Sequence, residues 1–162
     1  MKKIILILIL VFLIYIIHVL TVDRRVKYLY IGNSNQKIDL TADTYMSYIR
    51  DDDYRVIDLI NDINDNIKIN NRSLQNMLIK SNIIVISIGA NDLKHKKNLD
   101  YKYSDELIND LEKLLKLIRK YNKDKIYFIG YNNKDKYYAY INNKMKYICK
   151  LNKIEYIDNF TN

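Results

Sequence analysis

The sequence has almost none of the residues that build disulfide frameworks and metal centres. Cys149 is the only cysteine among 162 residues, which excludes an intrachain disulfide. Its place in an apolar helical pattern marks it as a core residue, not a reactive thiol. Only two histidines occur, His18 and His95, and neither belongs to a cluster of histidines and cysteines, so no metal and no cofactor are expected. The acidic triplet Asp51-Asp52-Asp53 reads as a turn, because a hard cation needs further oxygen ligands that the pattern does not identify. Proline and tryptophan are absent while Ile, Lys, Asn and Tyr abound, the codon bias of an AT-rich bacterial genome more than a mark of chemistry. A block of one charge is missing too. The net charge is +8, yet the lysines are interleaved with Asp and Glu, which reads as a solvated face and argues against a nucleic-acid partner. Placed beside anionic lipid or wall polymer, such a domain would gain some attraction. The sequons at Asn71-Arg72-Ser73 and Asn159-Phe160-Thr161 are what chance supplies in an Asn-rich chain.

What is present begins with an apolar run. After Met1-Lys2-Lys3, residues Ile4 to Val22 are interrupted only by Tyr15, His18 and Thr21, and Asp23-Arg24-Arg25 closes the stretch. A helix of about 20 such residues crosses the hydrocarbon core of a bilayer. A cleaved signal peptide would have a shorter core and a small-x-small cleavage site, and a lipoprotein a cysteine just after the run. The expectation is one uncleaved transmembrane helix, with His18 snorkelling near its outer end. Residues 1–25 are thus read as a membrane anchor through residues 4–22, and 26–162 as one domain. Lys2 and Lys3 favour a cytoplasmic N-terminus and hence a domain outside the cell membrane, although Arg24 and Arg25 pull the other way.

The rest alternates strand and helix patterns. Val26 to Ile31 is a β-branched and aromatic run ending at Gly32; Thr44 to Arg50 fits a short helix. Val56, Leu59, Ile60, Ile63 and Ile67 recur at helical spacing, and a second helix capped near Asn71 or Ser73 carries Leu74, Met77 and Leu78. Ile83 to Ile88 suits a strand buried on both faces. Ser104 reads as the N-cap of a helix with Leu107, Leu111, Leu114 and Ile118 in its stripe. A strand Lys125 to Ile129, a helix through Tyr138, Ile141, Met145 and Cys149, and a strand Lys153 to Ile157 complete the chain. This order predicts an α/β fold, a three-layer sandwich with a mostly parallel sheet. The three glycines, Gly32, Gly89 and Gly130, fall just past predicted strands, at the edge where open α/β sheets place their sites.

Two loops at that edge carry chemistry-bearing residues: Gly32-Asn33-Ser34 and Gly89-Ala90-Asn91-Asp92. The second resembles the Gly-x-Asn-Asp block of the SGNH (GDSL-type) serine hydrolases, and the first their Gly-Asp-Ser block with Asn33 in place of the aspartate. The resemblance covers most of the chain from Val26 onward, including the Asp58-Leu59-Ile60 helix start and the Gly130-Tyr131-Asn132 turn. It implies a flavodoxin-like SGNH hydrolase fold and ester (acyl) hydrolysis on carbohydrate, lipid or wall substrates. Ser34 would be the nucleophile. The oxyanion would be held by the Ser34 backbone N–H, a backbone N–H near Asp53 to Tyr54 and the Asn91 amide, with Gly89 and Asp92 supporting the loop. Three departures stand against full activity. The family's Asp-x-x-His block, which follows its last strand, has no counterpart after Asp158; Asp53 replaces a glycine of the second block; and the stretch from Ser34 to Asp58 is short. His95 is the one histidine near the site that would serve as a substitute base. Loss of a triad histidine costs about a million-fold in turnover, so catalysis is expected to be impaired. Two other readings stand beside it: a non-catalytic module binding an acylated glycan or lipid in the same pocket, and, with the family set aside, a membrane-tethered flavodoxin-like interaction domain, which fails if Ser34 and Asn91 face one pocket.

Overall fold

The computed structural model describes residues 11–16, 27–33, 45–50, 53–69, 71–94, 96, 98–133 and 135–159. Ser34, His18 and His95 lie outside the described residues, as does most of the expected anchor. Of that anchor residues 11–16 are helical, and Val11 to Tyr15 are 48–64% exposed. Among the described residues no helix is long and apolar enough to cross a membrane.

Five strands form one sheet in the order β2-β1-β5-β6-β7: Tyr45–Arg50, Tyr28–Asn33, Ile83–Ser87, Lys125–Ile129 and Glu155–Ile157. Every pairing in it is parallel. Numbered within this sheet alone, the order is 2-1-3-4-5, so the chain reverses direction across the sheet between β1 and β5. A separate antiparallel pair, β3 (Lys68–Ile69) with β4 (Arg72–Ser73), was not foreseen. The helices are α1 (Val56–Asn64), α2 (Leu74–Lys80), α3 (Ala90–Lys94), α4 (Tyr101–Tyr121) and α5 (Lys136–Leu151).

Several local expectations are corrected. Residues 45–50 form a strand, not a helix: Tyr45, Tyr48 and Ile49 fit a helical stripe, but pairing along the whole of β1 decides the backbone. Ile67 continues the apolar period of α1 yet lies beyond it. Asn66 takes a left-handed φ of 51°, its N–H returns to the Ile63 carbonyl and the Ile67 N–H to that of Asp62, the paired bonds that end a helix. Asp100, not Ser104, caps α4, its carboxylate accepting from the Tyr103 N–H at 2.7 Å. Ser104 is buried inside the helix, its hydroxyl donating to the Asp100 carbonyl. Ser73 does cap α2, accepting from the Asn76 N–H.

β5 and β6 are not fully buried on both faces, whereas β1 is from Leu29 to Ile31, with Tyr30 1% exposed on the face opposite Leu29 and Ile31. Leu29, Ile31, Ile84, Ile86, Ile126 and Phe128 occupy one face in register and share a core with the apolar stripes of α1, α2, α4 and α5. Those helices pack on one another as a single layer. On the opposite face Ile83, Val85, Tyr127 and Ile129 are only half-buried. Two layers are therefore described, and whatever makes a third lies outside the described residues.

Candidate functional site

The turn after β5 is built around Gly89, whose φ of +100° disfavours any side chain, and a Cβ there would also overlap the Tyr131 hydroxyl. That hydroxyl donates to the Ile88 carbonyl at 2.9 Å, joining the turn after β6 to the turn after β5. Tyr131 is itself gripped by Asn142 of α5, which accepts from its N–H and donates to its carbonyl, both at 2.9 Å. Asn142 is 2% exposed, and its amide oxygen and nitrogen both bond the backbone of one residue, which fixes the turn. Gly32 has a different reason from the turn expected there. It lies inside β1, and a Cβ would come within 2.8 Å of the Ser87 carbonyl on the neighbouring strand.

Past Gly89 the chain enters α3, which aims Asn91 and Asp92 back at the loop before α1. Asn91 Nδ2 donates to the Tyr54 carbonyl at 3.1 Å, and Asp92 Oδ2 accepts from the Val56 N–H at 3.2 Å. Consecutive residues thus hold the 54–56 segment at two points, and the structure brings Asn91 to the segment expected to share an oxyanion hole with it. An amide nitrogen has two N–H donors, so one remains for a ligand oxygen. The Asp92 carboxyl is 9% exposed, and burial pushes it up to about 6 against the N–H bond that favours its charge. Asp92 is therefore a support of the loop, as expected. From below, the Asp62 carboxylate accepts the hydroxyls of Tyr48 on β2 and of Tyr54, the latter at 2.7 Å. Burial and that carboxylate drive the Tyr54 phenol far above its ordinary range, so it stays a donor.

Gly32 pairs with Ser87, so the carboxyl end of β1 lies beside that of β5, from which the Gly89–Asp92 turn leaves, at the switch point of the sheet. Alongside lies a cleft of about 310 Å³ over the ends of β5 and β6. Its walls include Ser87 and Asn91 together with Asn132, Asn133, Tyr138 and Asn159. Lys94 is the only charged side chain among its lining residues. Four neutral amides beside an aromatic ring suit a neutral, oxygen-rich ligand better than an ion. Sequence reasoning missed Asn132, Asn133, Tyr138, Asn142 and Asn159; the only signal was Gly130 at a strand end. Among the described residues no three His, Cys, Asp or Glu side chains gather as a metal site. Asp53 is an exposed turn residue.

No protein-family model and no curated protein matches the sequence. The fold does have a solved likeness: the chain is similar to an acetyl xylan esterase, AlAXEase, with a TM-score of 0.59 and 15% identity over 82% of this chain and 77% of that one. The α/β architecture described above is thus one also found in an esterase.

Proposed function

We propose that this chain is an SGNH-like ester hydrolase domain, tethered to the cell membrane by residues 4–22, whose reaction is acyl-ester cleavage on carbohydrate, lipid or wall material. The observation that carries the reading is the two-point hold of Asn91 and Asp92 on the 54–56 segment beside the end of β1. It gathers an amide donor and a backbone loop where a Ser34 hydroxyl, one residue past β1, would attack. Ser34 would form the acyl-enzyme and Asn91 would stabilise the oxyanion. The structural neighbour is an acetyl xylan esterase, which supports an acylated carbohydrate within that range. The exposed apolar helix at 11–16 supports the anchor, since such a surface calls for an apolar surrounding. His95 is the candidate base. The amide-lined cleft favours one second reading, a module that holds an acylated glycan without cleaving it.

The test is prolonged labelling of the full chain in detergent with a fluorophosphonate, which reports a placed serine without needing the substrate. We expect slow, stoichiometric labelling that Ser34→Ala abolishes and His95→Ala reduces. Labelling that persists in Ser34→Ala removes Ser34 from its role. A folded chain that does not label but binds acetylated oligosaccharide establishes the binding module instead.

A further inference from the structure

A parallel sheet puts the amino ends of all its strands on one edge and the carboxyl ends on the other. The same strands therefore connect two clefts. Ile83 and Lys125 line a shallow cleft at the amino edge, whereas Ser87 and Ile129, at the other ends of β5 and β6, line the amide-rich cleft of the candidate site. Four residue steps at about 3.3 Å separate the two edges by roughly 13 Å.

The amino edge is also where the N-terminal segment joins the fold. The Asn82 and Ile83 N–H groups both donate to the Lys27 carbonyl, and the Lys27 N–H donates to Asn82 Oδ1 at 3.0 Å. Asn82 itself lines the amino-edge cleft. Only four residues, Asp23 to Val26, lie between the end of the apolar run at Val22 and this fixed point, and the five steps from Val22 to Lys27 reach at most about 17 Å. An anchor in the bilayer leaves this edge no room to be far from the headgroups.

The edge carries suitable chemistry. Lys123, Lys125 and Lys153 are exposed and line the cleft, with Asp124 and Glu155 between them. Lys80 ends α2 two residues before Asn82. Leu151 is 62% exposed and lines a neighbouring cleft together with Arg119, Lys123, Asp124 and Lys153. Lysines with an apolar residue among them are how peripheral surfaces seat on anionic lipid. By contrast, among its described lining residues the opposite cleft has one charged side chain, Lys94.

We propose that the amino edge of the sheet is a docking surface for anionic lipid headgroups, which holds the candidate site on the side facing away from the bilayer. This rests on the anchor reading above. The surface makes the tether directional: the cleft then meets polymer at a distance from the membrane, not the lipid of the membrane that holds it.

The experiment places the full chain in nanodiscs of phosphatidylcholine alone or with an equal part of phosphatidylglycerol, each carrying a headgroup energy acceptor. A donor dye is attached at Leu151→Cys or at Asn133→Cys; Cys149 is fully buried and is left in place. Docking predicts strong quenching at position 151, weak quenching at 133, and a contrast that needs phosphatidylglycerol and collapses at high salt. The triple variant Lys123→Gln, Lys125→Gln, Lys153→Gln should lose the contrast while remaining in the disc with an unchanged circular-dichroism spectrum. Equal quenching at both positions, or a contrast indifferent to phosphatidylglycerol, overturns the docking surface and leaves the anchor standing. A chain that does not enter discs overturns the anchor. The edge is then judged by co-flotation with phosphatidylglycerol vesicles, which should weaken about tenfold or more in the triple variant. Absence of flotation, or flotation that the variant retains, overturns the docking surface as well.

Discussion

Replacing Asp92 with Asn should stabilise the protein at neutral pH and slightly destabilise it in acid. The carboxyl titrates at about 6 in the fold against an ordinary 3.8, because burial penalises the charge more than the Val56 N–H rewards it. Below about pH 4 the group is protonated in both folded and unfolded chains and contributes nothing to the pH dependence. Between pH 4 and 6 the unfolded chain gives up its proton while the folded one keeps it, so stability falls as pH rises. Above 6 the deficit is complete, and at 1.36 kcal/mol per pH unit it amounts to about 3 kcal/mol. Asn keeps an oxygen for the Val56 N–H and removes the charge, but its buried N–H₂ takes back about 1 kcal/mol. The net gain at pH 7.5 is about 2 kcal/mol, a rise in Tm of roughly 4–8 °C for a domain of this size. Thermal unfolding of the full chain, followed by far-ultraviolet circular dichroism at pH 4, 5, 6 and 7.5, reads this directly. The two curves should cross between about pH 4 and 5, the variant being less stable by about 1 kcal/mol below the crossing and increasingly more stable above it. A variant destabilised equally at every pH would refute the reasoning, since the carboxylate would then be a favourable charge at the N-terminus of α1.

Two further substitutions test the supports of the turns. Gly89→Ala forces a side chain into φ +100° and onto the Tyr131 hydroxyl, and should cost about 3 kcal/mol or more in urea unfolding; a loss under about 1 kcal/mol would mean the turn relaxes freely. Asn142→Ala removes both bonds to Tyr131 and leaves a buried N–H and carbonyl unpaired, so a loss of about 2–4 kcal/mol is expected by the same measurement, and a neutral result would show that water enters to replace the amide.

Local pattern alone was enough to read most strands and helices. The apolar runs at Ile83–Ser87 and Lys125–Ile129, the stripe Leu107 to Ile118 and the Ser73 cap are short-range signals, set by side-chain period and by a hydroxyl within reach of the first helical N–H groups. Gly89 and Asn91 were singled out by a resemblance to a four-residue Gly-x-Asn-Asp block, itself a short-range signal. Other features came only from chain segments far apart in sequence. Residues 45–50 became a strand because β1 offers a whole row of backbone partners, which outweighs a helical spacing of side chains. Apolar runs read as buried on both faces turned out to be covered by described helices on one face only, a matter of crossover direction that a run of isoleucines cannot encode. The cleft amides Asn132, Asn133 and Asn159 and the anchor of Tyr131 by Asn142 depend on β6 and β7 lying beside β5. In an Asn-rich sequence nothing local distinguishes an asparagine that lines a cleft from one that faces water; only the parallel register, which stacks the strand ends at one edge, makes that choice.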